Sequence, residues 1–105
     1  MALQPLTPEQ RSVALDKAFK ARQARADAKA ALKSGEKSLS TVLKEATDDE
    51  ALSKMKVHDL LRSMPGVGKR RASALMEQIG IAESRRLKGL GVHQKAALLE
   101  RFETA

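Results

Sequence analysis

The sequence predicts an all-α fold, with a long N-terminal helix followed by a compact bundle of short helices. Three observations carry that expectation. Every segment with a clear hydrophobic period has the helical one, with apolar residues at i, i+3, i+4 and i+7, and no segment alternates like a strand. Capping residues, prolines and glycines stand where those periods begin and end. Aromatic residues are only 2% of the chain, with no Trp and no Tyr, so the core must come from aliphatic side chains. At 105 residues, one domain spanning 1–105 with a modest core is the natural organisation.

The first helix is expected from 8 to 33. Thr7 can cap it, Pro8 suits the first helical position, and Gln10 stands where a capping box places Glu or Gln. Nothing breaks it until Gly35, so it would run roughly 39 Å at 1.5 Å per residue. It is mostly alanine and charge; Val13, Leu15, Phe19 and Leu32 are its only larger apolar residues. Alanine favours helix without burial. Projected at about 100° per residue, Arg11, Arg22, Arg25, Lys29 and Lys33 fall within an ~80° sector, with Asp16 and Asp27 near the opposite side. A basic stripe of this kind can meet a phosphate backbone or simply be solvated, and Arg22, Arg25 and Lys29 are its candidate contacts.

The core helices follow within 38–64. After a turn at Gly35–Ser38, the spacing of Leu39, Val42, Leu43 and Ala46 predicts a short amphipathic helix. Thr47-Asp48-Asp49-Glu50 is rich in capping residues and starts another helical turn through Leu52. Val57, Leu60, Leu61 and Met64 repeat the spacing, and Pro65-Gly66 ends it. In 65–103, Ala72, Leu75, Met76 and Ile79 mark a helix closed by Gly80. A helical turn is expected over Glu83–Leu87, and a last helix over about 92–102.

Net charge is +7, unevenly spread. Residues 1–34 hold seven Lys/Arg against three Asp/Glu, residues 35–63 five against six, and residues 64–105 eight against four. Basic charge at both ends suggests a polyanionic partner held on two surfaces. The absence of Cys excludes disulfides, thiolate metal sites and a Cys nucleophile. No apolar run approaches the ~18 residues of a membrane span, and no signal peptide opens the chain. A cytoplasmic protein without a membrane partner is expected.

One stretch recurs in miniature. Gly66-Val67-Gly68 precedes a helix starting near Lys69, and Gly89-Leu90-Gly91 precedes one starting near Val92. Glycines let the backbone turn tightly and approach a ligand. The apolar residue between them can pin the turn to the core. The first N–H groups of the next helix lack intrahelical partners and sit at its positive end, which together make an anion site. Lys69, Arg70 and Arg71 follow the first turn; Arg85, Arg86 and Lys88 precede the second. Three successive helical cations point in three directions, so not all of 69–71 can touch one ligand. The nucleotide P-loop is excluded: its first glycine would fall at Ser63 and its magnesium-binding hydroxyl at Arg70. His58 and His93 are isolated, the carboxylates sit where capping and solvation explain them, and no metal-ligand spacing is present. Neither catalysis nor a cofactor or metal is expected.

The residues KMKVHDLLRSMPGVGKRRASALMEQIGI, followed by SRRLKGLG and a helix ending LLERF, resemble the actinobacterial integration host factor family. The opening MALQPLTPEQR is similar as well, so the resemblance spans nearly the whole chain. The second half also resembles, more distantly, the helix-two-turn-helix region of the thirteenth small-subunit ribosomal protein and of DNA glycosylases. The resemblance implies a helix-two-turn-helix module over 65–103. It implies a nucleoid-associated protein that binds double-stranded DNA with little sequence preference, bends or compacts it, and supports site-specific recombination, integration and transcriptional regulation. Carried over position by position, the implied contacts are Gly66, Val67, Gly68, Lys69 and Arg70 at the first turn, and Arg85, Arg86, Lys88, Gly89, Leu90 and Gly91 at the second. Departures are Gln4 where Pro is expected, Lys88 where Arg is expected, and His58-Asp59 in place of small residues. A monomer in solution is expected. Structured RNA is the alternative partner, but ribosomal proteins of this type carry a long basic tail and this chain stops at Ala105. A glycosylase would need an N-terminal proline amine and usually a four-cysteine zinc finger; this chain begins Met1-Ala2 and has no Cys.

Overall fold

The computed structural model describes residues 5–103; Met1, Ala2, Gln4 and Ala105, used above, lie outside the described residues. Helix α1 runs Pro8–Ser34. Its start is a full capping box: the Thr7 hydroxyl accepts from the Gln10 N–H at 3.1 Å, and the Gln10 side chain accepts from the Thr7 N–H at 3.0 Å. Gly35, in the left-handed region at φ 80°, ends it. Then come α2 (Leu39–Asp48), α3 (Glu50–Ser53), α4 (Val57–Arg62), α5 (Lys69–Ile79), a single 3-10 turn (Leu87–Gly89) and α6 (Val92–Glu103). Ser38 caps α2 and Asp49 caps α3 through their side chains.

One local expectation needs correction. The helical turn expected over Glu83–Leu87 is instead a tight turn, with the Arg85 N–H on the Ala82 carbonyl at 2.9 Å, followed by the 3-10 turn that begins at Leu87. No strand forms among the described residues, as the sequence leads one to expect, and the approach to α4 over Lys54-Met55-Lys56 carries a single bridge. Met55 is buried between the exposed Lys54 and Lys56; Lys56 is extended at φ −70° and ψ 140°, while Lys54 closes α3 in the helical region. There Lys56 pairs with Arg86 in an isolated antiparallel bridge. The Val57 N–H donates to the Arg85 carbonyl and the Leu87 N–H to the Met55 carbonyl, both at 2.9 Å. This pairing ties the approach to α4 to the approach to the second glycine turn.

One aliphatic cluster joins all the helices, running from Ala28 and Leu32 on α1 to Leu98 on α6. No polar or charged residue is buried among the described residues. Helix α1 enters this core only at its C-terminal end, through Ala28, Ala31 and Leu32. Its N-terminal half leaves Val13, Leu15 and Phe19 in solvent. Alanine-rich, well-capped helix can stand without burial, which is why the segment holds its shape where it touches nothing.

Leu61 on α4 is fully buried at the centre of the cluster. Leu61→Ala should lower unfolding free energy by about 2–5 kcal/mol through lost transfer and cavity terms, measured by urea unfolding; a loss under about 1 kcal/mol would mean that the core is looser than its burial indicates.

Candidate nucleic-acid interface

The C-terminal half of α1 lies beside the first glycine turn, and two hollows open between them. The larger, about 720 Å³, is lined by Arg25 and Lys29 from α1, by Lys54 and Lys56, by Lys69 at the start of α5, and by Arg86. These six cations face only two carboxylates, Asp59 and Glu83. His58 and Ser73 also line it, joined by a 3.1 Å hydrogen bond that ties α4 to α5. The second hollow, about 580 Å³, is lined by Lys29, Lys33 and Arg62 together with Gly66, Val67 and Gly68. Lys29 belongs to both, so the α1 stripe and the first turn form one continuous basic surface. The side chains of Arg22, Arg25, Lys29, Lys33, Lys56 and Lys69 make no ion pair or hydrogen bond with another described residue. Lys54 is different: Glu50 accepts from its ammonium at 2.8 Å. That hydrogen bond and charge hold the Glu50 carboxyl below its usual range, so part of the lysine's charge is already answered.

The first turn has the geometry of an anion grip. Val67 is buried and anchors it. Positive φ falls on Gly66, at 75°, whereas Gly68, for which the sequence allowed a positive φ, is extended at φ −90° and ψ −178°. Gly68 occupies the N-cap of α5 with no side-chain cap, and its carbonyl accepts from the Ala72 N–H at 3.0 Å. The N–H groups of Lys69, Arg70 and Arg71 therefore face outward without intrahelical acceptors. A Cβ at Gly68 would have no atom of this chain within 4 Å beyond its two sequence neighbours. What keeps that space open for a ligand is the missing side chain itself. Arg70 and Arg71 are exposed and line neither hollow.

The second turn looks alike in sequence and differs in structure. Leu90 is buried, as Val67 is. The Gly91 N–H is already bonded to Gln94 Oε1 at 2.9 Å, and Gln94 in turn donates to the Gly80 carbonyl at 3.1 Å. Arg85 lies across Gly89, donating to its carbonyl at 2.8 Å; a Cβ on Gly89 would come within 3.0 Å of Arg85 Cδ. Gly89 thus makes room for an arginine of its own chain. Arg86 donates to the Lys54 carbonyl at 2.7 Å and lines the large hollow. Lys88 lines a separate hollow with Lys95, so Arg85, Arg86 and Lys88 do not converge on one point. Arg22 extends the α1 stripe beyond the hollows and is exposed.

Sequence reasoning placed Lys33 on the α1 stripe but missed Lys54, Lys56 and Arg62 as members of this surface. Nothing local in the sequence places Arg62 beside α1. Among the described residues no group of His, Cys, Asp or Glu could hold a metal ion, and no helix is long and apolar enough to cross a membrane.

Residues 32–102 match the family model of the S13-like H2TH domain. A protein named Integration host factor from Streptomyces coelicolor is 53% identical over 102 residues, covering 97% of this chain and 95% of that protein. Its namesake from Mycobacterium tuberculosis is 53% identical over 105 residues, covering 100% of both. A solved structure described as sIHF bound to an 8bp palindromic DNA superposes with a TM-score of 0.81 at 48% identity, covering 83% of this chain and 98% of that one.

The two glycines of the first turn should respond differently to alanine. Gly66→Ala places a side chain at positive φ and should cost about 1–2 kcal/mol of stability, whereas Gly68→Ala, in ordinary extended backbone, loses only the preference for glycine over alanine at an N-cap and should cost less. Thermal unfolding of the two variants checks this; an equal loss in both would mean that the turn is held in some other way.

Proposed function

The chain belongs to the actinobacterial integration host factor family, within the S13-like H2TH domain proteins, and from that premise we propose that it is a nucleoid-associated architectural protein that binds double-stranded DNA. It acts by binding and not by catalysis. Affinity comes from backbone phosphates, through the outward N–H groups at the start of α5 and the exposed Lys and Arg around them. Such contacts position a protein on the duplex without reading bases. Low sequence preference and strong salt dependence follow.

The observation that carries this reading is the single basic surface that α1 and the first turn share. Arg25 and Lys29 face Lys56, Lys69 and Arg86 across one hollow, and Lys29 and Lys33 flank Gly66–Gly68 in the next. Unpaired cations on two elements, brought side by side, fit a rigid polyanion better than a small anion, which one turn could hold. Neither aromatic residue lines the two hollows, so no row of stacking platforms runs beside the first turn, which argues against the stacked-base binding of single strands. By deforming the DNA it holds, a protein of this kind can support recombination, integration and transcriptional regulation.

The test is a competition between duplex DNA, single-stranded DNA and structured RNA at two salt concentrations. Duplex should win at both, with affinity falling steeply as salt rises; RNA winning at both would assign the chain to the other branch of its domain family. Within the site, Gly68→Val should weaken duplex binding more than Lys69→Ala, although it removes no charge. The valine fills the space that the phosphate enters, while the alanine leaves the turn's N–H groups in place. Because a Cβ at Gly68 meets nothing within 4 Å beyond its sequence neighbours and φ is ordinary, both variants should stay folded. If Lys69→Ala is the weaker binder of the two, the turn is a spacer presenting a lysine.

A further inference from the structure

Of the three large apolar side chains that α1 exposes, Leu15 and Phe19 stand beside its cations and not on the side that enters the core. Leu15 is 63% exposed and Phe19 59%. In helical projection Leu15 falls within the sector of Arg11, Arg22, Lys29 and Lys33, and Phe19 lies about 40° to one side. The other residues on this face are alanines, Ala18 and Ala26, so the pair stands proud of a narrow helix. Leu6, itself 53% exposed, shares a shallow hollow with Arg11 and Leu15 and widens the patch. Val13 is on the opposite side and plays no part. Burying nothing, Leu15 and Phe19 contribute little to the fold, and a basic stripe gains no solubility from them.

We propose that Leu15 and Phe19 form an apolar wedge that presses into the minor groove of the duplex held at the first turn, opening a base step and bending the DNA. The inference rests on the duplex-binding reading above. Charge decides the occupant. A second copy packed on this face would set Arg11, Arg22 and Lys29 against like charges, which is costly, whereas a duplex supplies phosphates on both sides of a groove. Side chains of this kind, flanked by Arg and Lys, are how minor-groove proteins trade base stacking for a bend. The spacing suits one duplex. Leu15 is about 21 Å along the helix axis from Lys29, or about six base pairs from the phosphates beside Gly66–Gly68 at ~3.4 Å each.

The experiment uses the full chain and a duplex of about 30 base pairs, labelled at both ends for energy transfer. Leu15→Ala/Phe19→Ala removes the wedge and no charge. It should abolish most of the bend and weaken binding about tenfold, with the slope of log K against log salt unchanged and helix content retained. The chain has no Trp, so Phe19→Trp adds a single fluorophore, whose emission should be quenched by stacking when duplex is added. An unaltered bend in the double variant, an unaltered indole spectrum, or a wild-type chain that binds without bending overturns the wedge alone. Sedimentation showing a wild-type dimer that the double variant loses would assign the face to a second copy. A wild-type chain that fails to bind duplex at all overturns the functional reading beneath it.

Discussion

The burial of one small patch on α1 places everything else. Ala28, Ala31 and Leu32 are the only residues of that helix in the core, and Leu32 is 1% exposed. Two alanines let the helix approach closely, and the leucine fills the space between α1 and the bundle. Fully burying a leucine is worth about 1.5–3 kcal/mol, enough to fix the direction of a stiff rod. Because the patch sits at the C-terminal end, the residues one helical face away, Arg25, Lys29 and Lys33, are delivered to the rim of the core beside Lys69 and Gly66–Gly68. The same placement leaves the first three turns of α1 reaching past the bundle. Position on the rod decides which cations meet the glycine turn and which extend beyond it.

Electrostatics follow from that architecture. No charge is buried among the described residues, so none has been removed from water to build the fold. The ion pairs Lys20–Asp16, Lys37–Glu45 and Lys54–Glu50 are solvated and contribute little to stability. The cations of the interface are therefore not holding the protein together, except where Arg85 and Arg86 brace backbone carbonyls. A surface that is free of structural duty can be answered by phosphates without cost to the fold.

Much of this was legible in the sequence. The capping box at Thr7, the amphipathic spacing of Leu39–Ala46 and Val57–Leu61, and the glycine stops at Gly35 and Gly80 are local rules, and each helix begins within a residue or two of where those rules place it. The two glycine turns illustrate what local rules miss. They share a pattern, yet Gly66 is glycine for its positive φ, and Gly89 is glycine because Arg85 lies over it. Arg85 sits four residues away, and only the folded path of the 3-10 turn brings it back. The hollow that joins Arg25 and Lys29 to Lys56 and Lys69 is likewise a product of helix packing at long range. Projection onto one helix gives the stripe; it cannot say what the stripe faces. Lys54 and Lys56 reach the hollow beside Arg86 through the single bridge between Lys56 and Arg86, a pairing between residues far apart in the sequence.

The central claim is that the stripe and the first turn act on the same duplex. The most direct measurement is the salt dependence of one-to-one binding to a single short duplex, compared between the native chain and Arg25→Gln/Lys29→Gln/Lys33→Gln. These three residues take no part in the core, so the variant should keep its melting temperature. If all three meet phosphates of the duplex that Gly66–Lys69 holds, the slope of log K against log salt should fall by between two and three units, at about 0.9 per lost contact. An unchanged slope in the folded variant would contradict the account and leave the stripe as a solvated face.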